Sequence, residues 1–249
     1  MGHLQDRGCV LRVVIGGKRF PAVGEAPERH VLGRLAFDLR AGEVMAITGP
    51  SGCGKTTLLN LVARLDRDFD GSIERPGGGR LAYVFQEPRL LPWRTVTENL
   101  ELVLPDEAAT AGRIAAALDE VGLADAASTF ASRLSLGMAR RVALARAFVI
   151  RPDLLLLDES FASLDAPTAH RLRVLLLDLL AAHGVTGLFV THDLEEAVML
   201  ADRLLVLSTP PAVVTADIAI DLDAAARRDP AQVAEATRRV SAQIATPAA

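Results

Sequence analysis

Val44-Met45-Ala46-Ile47-Thr48-Gly49-Pro50-Ser51-Gly52-Cys53-Gly54-Lys55-Thr56 is the stretch on which the fold turns. Its first five residues are a compact apolar run suited to a strand buried on both faces of a parallel sheet. The next eight match the spacing G-x-x-x-x-G-K-S/T, and Lys55 to Arg64 continues as an apolar helix. Strand, glycine-rich turn and helix, in that order, are what a phosphate-cradling loop requires. The glycines let the backbone curl so that several N–H groups aim at one set of anionic oxygens. The start of the helix adds its positive dipole end. The Lys55 ammonium can reach the β- and γ-phosphates of a nucleotide, and the Thr56 hydroxyl can ligate Mg2+. Gly49, Pro50, Ser51, Gly52, Cys53, Gly54, Lys55, Thr56 and Thr57 are therefore the candidate nucleotide contacts.

A second motif lies about a hundred residues on. Leu154-Leu155-Leu156-Leu157-Asp158-Glu159 reads as a buried strand ending in two acids. An acid pair at a strand end is often a solvated turn. After four leucines, in a chain with a phosphate loop, it has a specific use. Asp158 would hold Mg2+ through its water shell, and Glu159 would accept a proton from an attacking water.

Around these two motifs the chain alternates strand and helix. Cys9 to Ile15 and Leu35 to Arg40 read as strands, joined by a Gly/Pro-rich connection from Gly16 to Pro27. Leu81 to Phe85, Leu188 to Thr191 and Leu204 to Ser208 are further strands. Thr95-Val96-Thr97-Glu98 has the form of a helix capping box. Ala108 to Val121, Met138 to Ile150, Ala169 to His183 and Leu194 to Leu200 are helical in pattern. Alternation at both ends with a helical middle predicts an α/β fold, an open and mostly parallel sheet interrupted by a helical insert over 87–150. Residues 221–249 form an Ala/Arg/Asp-rich tail of which only the last few should fray.

Composition sets outer bounds. The chain has 249 residues, half of them apolar, enough for one large domain, and a formal net charge of −4. That balance argues against a basic face for nucleic acid. Cys9 and Cys53 are far apart and the five histidines show no ligand spacing, so neither a disulfide framework nor a zinc site is expected. No signal-peptide pattern is visible, and the apolar runs stop well short of the ~18 residues a membrane span needs. Any membrane contact is expected to go through a partner.

Leu134-Ser135-Leu136-Gly137-Met138-Ala139-Arg140-Arg141-Val142-Ala143-Leu144-Ala145-Arg146-Ala147 narrows the class. It resembles the signature segment of ATP-binding cassette (ABC) ATPases. Ser163-Leu164-Asp165 resembles that family's D-loop, Gln86 its Q-loop glutamine, and Thr191-His192-Asp193 its switch histidine. The motifs follow the family's order over residues 8 to 210. The stretch from Val84 to Val96, with Phe161 to Ala166 and Glu195-Glu196-Ala197, is similar to ATPase subunits of nitrate, sulfonate, taurine and bicarbonate importers. An ATPase serving DNA repair or the ribosome, or a small-molecule kinase, is the competing class; the first usually carries coiled-coil inserts, tandem cassettes or basic arms, and the second leaves the signature segment unexplained.

The resemblance implies a single cassette domain over 1–249, with a RecA-like phosphate-loop core, an N-terminal antiparallel β subdomain and a helical signature subdomain. It implies a head-to-tail dimer enclosing ATP and Mg2+. Ser135 and Gly137 would face the γ-phosphate held by the other copy, and Asp165 would act across the dimer. Gln86 would touch Mg2+ or the attacking water, and His192 the γ-phosphate. Phe20 is the candidate adenine-stacking aromatic. Implied partners are a second copy, integral membrane permease subunits and a solute-binding protein, with the chain cytoplasmic and peripheral on the inner face of a bacterial cell membrane.

Two residues depart from the family's pattern. Leu136 stands where glycine is usual. A positive φ there would cost a leucine ~1–2 kcal/mol; with an ordinary φ, which we expect, the backbone donor survives. Ser160 replaces the proline that usually follows the catalytic glutamate, and should alter loop stiffness more than chemistry. Two further expectations concern single residues. Cys53 reads either as a reactive thiol shielded by nucleotide, since a helix N-terminus favours a thiolate, or as a small filler. Trp93, in the Glu87 to Arg94 loop, reads as lining a groove for a short helix of a membrane subunit or else as a core residue.

Overall fold

The computed structural model describes residues 8–22, 24, 27–75, 78–105 and 110–245. In chain order the strands are β1 (Cys9–Phe20), β2 (Arg29–Leu32), β3 (Leu35–Arg40), β4 (Val44–Thr48), β5 (Asp70–Glu74), β6 (Leu81–Val84), β7 (Leu154–Asp158), β8 (Thr186–Val190), β9 (Arg203–Leu207) and β10 (Val214–Ala219). The helices are α1 (Lys55–Val62), α2 (Val96–Glu101), α3 (Thr110–Glu120), α4 (Leu136–Phe148), α5 (Ala166–His183), α6 (Leu194–Leu200) and α7 (Pro230–Ala245). Two compact units emerge, one from the residues up to Gly78 with those from Thr186 on, the other from Gly79–Val185.

The first unit holds two sheets. β1 is the spine of an antiparallel sheet, pairing with β3 along Cys9 to Ile15, with β2 along Lys18 to Phe20 and with β5 along Arg12 to Gly17. Its burial alternates along Leu11, Val13 and Ile15, as a one-sided strand requires. The strand does not stop at Ile15, as the sequence suggested, but runs on to Phe20. The alternation is hidden by Lys18, which is 2% exposed because Asp66 meets its ammonium at 2.9 Å. In the other sheet, β4 lies between β8 and β9, parallel to both, and β10 closes the β9 side antiparallel. Val44 to Ile47 and all of β8 are buried, which is why they read as unbroken apolar runs.

β5 and β10 have no counterpart in the sequence reading; most of their residues are exposed or half-buried, so neither carries an apolar pattern. The segment set apart as a tail contains α7, which buries Val233, Ala236 and Val240 at helical spacing. Ahead of it Arg227, 7% exposed, donates to the carbonyls of Met199 and Ala201 at 3.1 and 2.7 Å and to the Asp202 carboxylate at 2.8 Å. The other oxygen of Asp202 accepts from the Val44 amide at 2.9 Å, so one aspartate ties this segment to the start of β4.

The second unit pairs β6 with β7 in parallel, Val84 opposite Leu157, and the described elements between them are helical. Thr95 caps α2 by the full reciprocal box with Glu98. α4 starts at Leu136, two residues before the sequence reading, because Ser135 is its cap. α5 starts at Ala166 rather than Ala169, with Asp165 as cap and Pro167 in the first turn, where a missing N–H leaves no bond unmade. The expected start of α3 at Ala108 and the end of the tail lie outside the described residues.

Candidate nucleotide site

In the first unit, β4 delivers the chain into the phosphate loop and α1 takes it away. Gly52 and Gly54 have φ of 76° and 106°. A Cβ on Gly54 would stand 2.7 Å from Val31 Cγ1 and 2.8 Å from Leu32 Cδ2, so β2 presses directly on the loop. Lys55 is 6% exposed, and its ammonium donates to the carbonyls of Gly49 and Pro50 at 3.0 and 3.2 Å. The lysine thus spans the turn it follows and places a fixed positive charge beneath the loop's N–H groups. Ser51 and Thr56 are exposed.

Cys53 is 0% exposed and its amide donates to Pro50 O at 3.2 Å. The reactive-thiol expectation is therefore corrected: Cys53 is the loop's internal filler, with its sulfur out of reach of solvent. His192 is exposed and follows β8. The Thr191 amide donates to Ile47 O at 3.1 Å, so His192 and the phosphate loop leave neighbouring parallel strands at the same end. Phe20 ends β1, opposite Arg29 of β2, with its ring 38% exposed and the Lys18 ammonium 4.6 Å from its centroid. It is an accessible aromatic on the strand beside the one that packs on Gly54.

In the second unit, Gln86 and Glu159 follow the paired ends of β6 and β7. Asp158 is 5% exposed and accepts a hydrogen bond from the Tyr83 hydroxyl at 3.4 Å. Burial, and then the neighbouring Asp158 carboxylate, push the Tyr83 hydroxyl above its ordinary value, so it remains a donor. Glu159 has φ 41°, a left-handed backbone that strains a non-glycine residue. Ser160 is buried and donates to Val84 O at 3.4 Å, a tie between the two loops that a proline could not make.

Ser135 accepts the Met138 amide at 3.3 Å and caps α4. Leu136 is its first helical residue, outside the positive-φ set, and 44% exposed; the expected ordinary backbone is what the chain adopts, so the leucine retains the donor. A Cβ on Gly137 would lie 3.1 Å from Thr168 Cγ2. Asp165 accepts the Thr168 amide at 3.0 Å, and Thr168 is the first cause holding its carboxyl below the usual range. Ser135, Gly137 and Asp165, drawn from two distant segments, line one cavity of about 1010 Å³.

The donors expected at a metal are the Thr56 hydroxyl, the Asp158 carboxylate and the Gln86 amide, all hard oxygens. Among the described residues no cluster of three or more His, Cys, Asp or Glu side chains forms a cage. Such a sparse oxygen set suits a small divalent cation that keeps waters and takes substrate phosphates as ligands.

Sequence reasoning passed over Tyr83 and two arginines of α4. Tyr83 is the chain's single tyrosine, three residues before Gln86. Arg140 is 5% exposed and donates to Ala162 O at 3.3 Å, and burial lowers its proton affinity while Glu87 offsets part of that. Arg146 donates to Pro88 O and Arg89 O, each at 2.8 Å. Arginines in a helix otherwise apolar and rich in alanine were the available signal.

Residues 32–162 match the family described as ABC transporter. The chain is similar to aliphatic sulfonates import ATP-binding protein SsuB 2 of Burkholderia cenocepacia, with 42% identity over 222 residues, 86% of this chain and 82% of that protein. It is similar to SsuB 1 of Pseudomonas syringae pv. syringae, with 45% identity over 201 residues, 80% of this chain and 84% of that one. With SsuB of a Mycobacterium species it shares 50% over 184 residues, 72% of this chain and 74% of that one. Among solved structures, a dimeric ATP-binding cassette in a post-hydrolysis state with ADP and phosphate superposes with a TM-score of 0.73 at 25% identity, covering 86% of this chain and all of that one.

Proposed function

The chain belongs to the ABC transporter family, and on that premise we propose that it is the ATP-hydrolysing subunit of a bacterial importer for aliphatic sulfonates or a related small solute such as taurine or nitrate. The observation that carries this is the phosphate loop folded around its own lysine, in a chain 42% identical over most of its length to a sulfonate-import ATPase subunit.

Lys55 and the loop's N–H groups neutralise the β- and γ-phosphates of ATP. Thr56, Gln86 and Asp158 supply oxygens for Mg2+. That ion would supply positive charge to offset the charge that develops on the γ-phosphoryl group. Glu159 accepts a proton from water as the water oxygen bonds to the γ-phosphorus and the bond to the ADP oxygen breaks, giving ADP and phosphate. His192 contacts the γ-phosphate, and Phe20 stacks on adenine. Ser135, Gly137 and Asp165 serve the nucleotide of a second copy, where the start of α4 offers its N–H groups to the γ-phosphate.

Among the described residues no helix is long and apolar enough to cross a membrane. The proposed membrane contact is a permease subunit at the inner face of the cell membrane, meeting the loop that carries Trp93. That residue is 69% exposed, a large aromatic on the surface of its loop rather than in a core. A solute-binding protein completes the system. The test is growth of the source strain lacking this chain on an aliphatic sulfonate as sole sulfur source. Growth should fail and return with the wild-type chain but not with Glu159→Gln; undiminished growth of the deletion on sulfonates, nitrate and taurine alike would overturn the importer assignment.

A further inference from the structure

Within the second unit a continuous column of contacts runs from Asp158 to the loop that carries Trp93. The Tyr83 hydroxyl donates to the Asp158 carboxylate at 3.4 Å. The Tyr83 ring stacks on Phe85, with centroids 4.0 Å apart and planes 21° from parallel. The Arg89 guanidinium covers the other side of the pair, its central carbon 3.7 Å from the Phe85 centroid. Stacked rings capped by a cation are stiff in the stacking direction, because sliding any layer loses contact with both neighbours.

The far end of the column is held under strain. Arg89 has φ 47°, a left-handed backbone that is unfavourable for an arginine. Two devices hold it there: its own side chain on Phe85, and the Arg146 fork on the carbonyls of Pro88 and Arg89. Beyond it the chain is pinned again by Asn99, fully buried, which accepts the Leu91 amide at 2.7 Å and donates to the carbonyls of Leu91 and Thr95 at 3.2 and 2.9 Å. Trp93 sits between the two stretches that Asn99 grips, Leu91 and Thr95. Arg146 and Asn99 grip backbone, and the stacked column is a side-chain route from this loop back to the buried carboxylate.

We propose that Tyr83 and Arg89 are positioning residues that couple cation occupancy at Asp158 to the position of the Trp93 loop. This rests on reading Asp158 as a Mg2+ ligand. A carboxylate that takes a cation on one oxygen while the other stays on the Tyr83 hydroxyl draws that hydroxyl with it. The phenol tilts, the stack passes the tilt to Arg89, and the strained backbone there releases into an ordinary conformation or tightens. Tyr83 also orients that carboxylate before a cation binds, so removing its hydroxyl weakens Mg2+ capture without touching nucleotide contacts elsewhere.

Trp93 is the only tryptophan, so its emission reports this loop alone. The experiment uses the full chain carrying Glu159→Gln, saturating ATP, and a Mg2+ titration followed by tryptophan emission. A fluorescent ATP analogue measures nucleotide affinity in parallel. The parent should show an emission change that saturates with Mg2+. Tyr83→Phe, which retains the stack, should raise the Mg2+ midpoint about three- to tenfold, the effect of one lost hydrogen bond of ordinary strength, with ATP affinity in the absence of Mg2+ unchanged. Arg89→Ala should remove most of the amplitude with the midpoint within about twofold, and Arg89→Lys should restore part of it. A Tyr83→Phe titration superimposable on the parent, or full amplitude in Arg89→Ala, overturns the coupling. If Mg2+ raises ATP affinity in the parent while Trp93 stays silent, the coupling alone fails; if Mg2+ leaves ATP affinity unchanged, the assignment of Asp158 fails with it.

Discussion

The phosphate loop and the signature segment each bring a glycine-bearing turn to the start of a helix, yet the chain completes the first by itself and leaves the second open. In the first, Lys55 is buried and bonded to the loop's own carbonyls, Gly54 lies hard against Val31 and Leu32, and Cys53 fills the interior. In the second, Ser135 caps α4, but the next residue, Leu136, is 44% exposed and meets solvent at the mouth of the cavity it shares with Asp165. A site finished by its own chain has its cation internally satisfied. In the proposed dimer, the exposed leucine beside that helix start is covered by the second copy. The difference is what the proposed dimer predicts, since only there would the signature segment acquire a nucleotide to cap.

Three substitutions probe that contrast. Lys55→Ala should have the largest effect, lowering ATP affinity of a single copy about 10- to 100-fold, as expected for loss of charge-assisted bonds to phosphate. Displacement of a fluorescent nucleotide measures it; near-normal affinity would remove the loop from the nucleotide site. Leu136→Glu places a carboxylate at the open helix start, where it suits the helix dipole but opposes a triphosphate. Turnover should fall about tenfold with single-copy ATP affinity within about twofold of wild type. Equal loss of both would mean that the signature segment serves its own chain's nucleotide. Thr95→Ala, in the same unit but outside both motifs, should lower stability by about 1 kcal/mol and leave single-copy ATP affinity intact, as read by thermal melting and nucleotide binding. Its cap also fixes a pH dependence. The Thr95 amide, then its hydroxyl, hold the Glu98 carboxyl below its ordinary value, so this stabilisation is present at neutral pH and lost as the pH falls through that lowered folded-state value.

The contrast was half legible in the sequence. Val44 to Thr48 and the loop after it, Leu154 to Asp158, and α6 stand where local pattern places them, because apolar run, glycine spacing and helix start all lie within a few residues. The ends of elements were lost wherever a polar residue does structural work. Lys18 hid the second half of β1 by being buried between aspartates. Ser135 and Asp165 begin α4 and α5 earlier than their apolar residues suggest. Exposed β5 carries too little contrast for periodicity to register, and α7 escaped notice because its buried face is built from two valines and an alanine rather than large apolar residues. The Tyr83–Asp158 bond depends on the register of two strands seventy residues apart, Val84 against Leu157, which no local window contains. In the same way, the gathering of Ser135 and Asp165 around one cavity is a product of packing between α4 and α5.

The central claim is that two copies of this chain close on ATP, each finishing the other's open site. Light scattering of the Glu159→Gln chain, with Mg2+ and with or without ATP, tests it most directly. One copy per particle is expected without nucleotide and two with it, with reversion to one when Leu136→Glu is added. A particle mass that stays at one copy in saturating Mg-ATP, across the micromolar range, would contradict it.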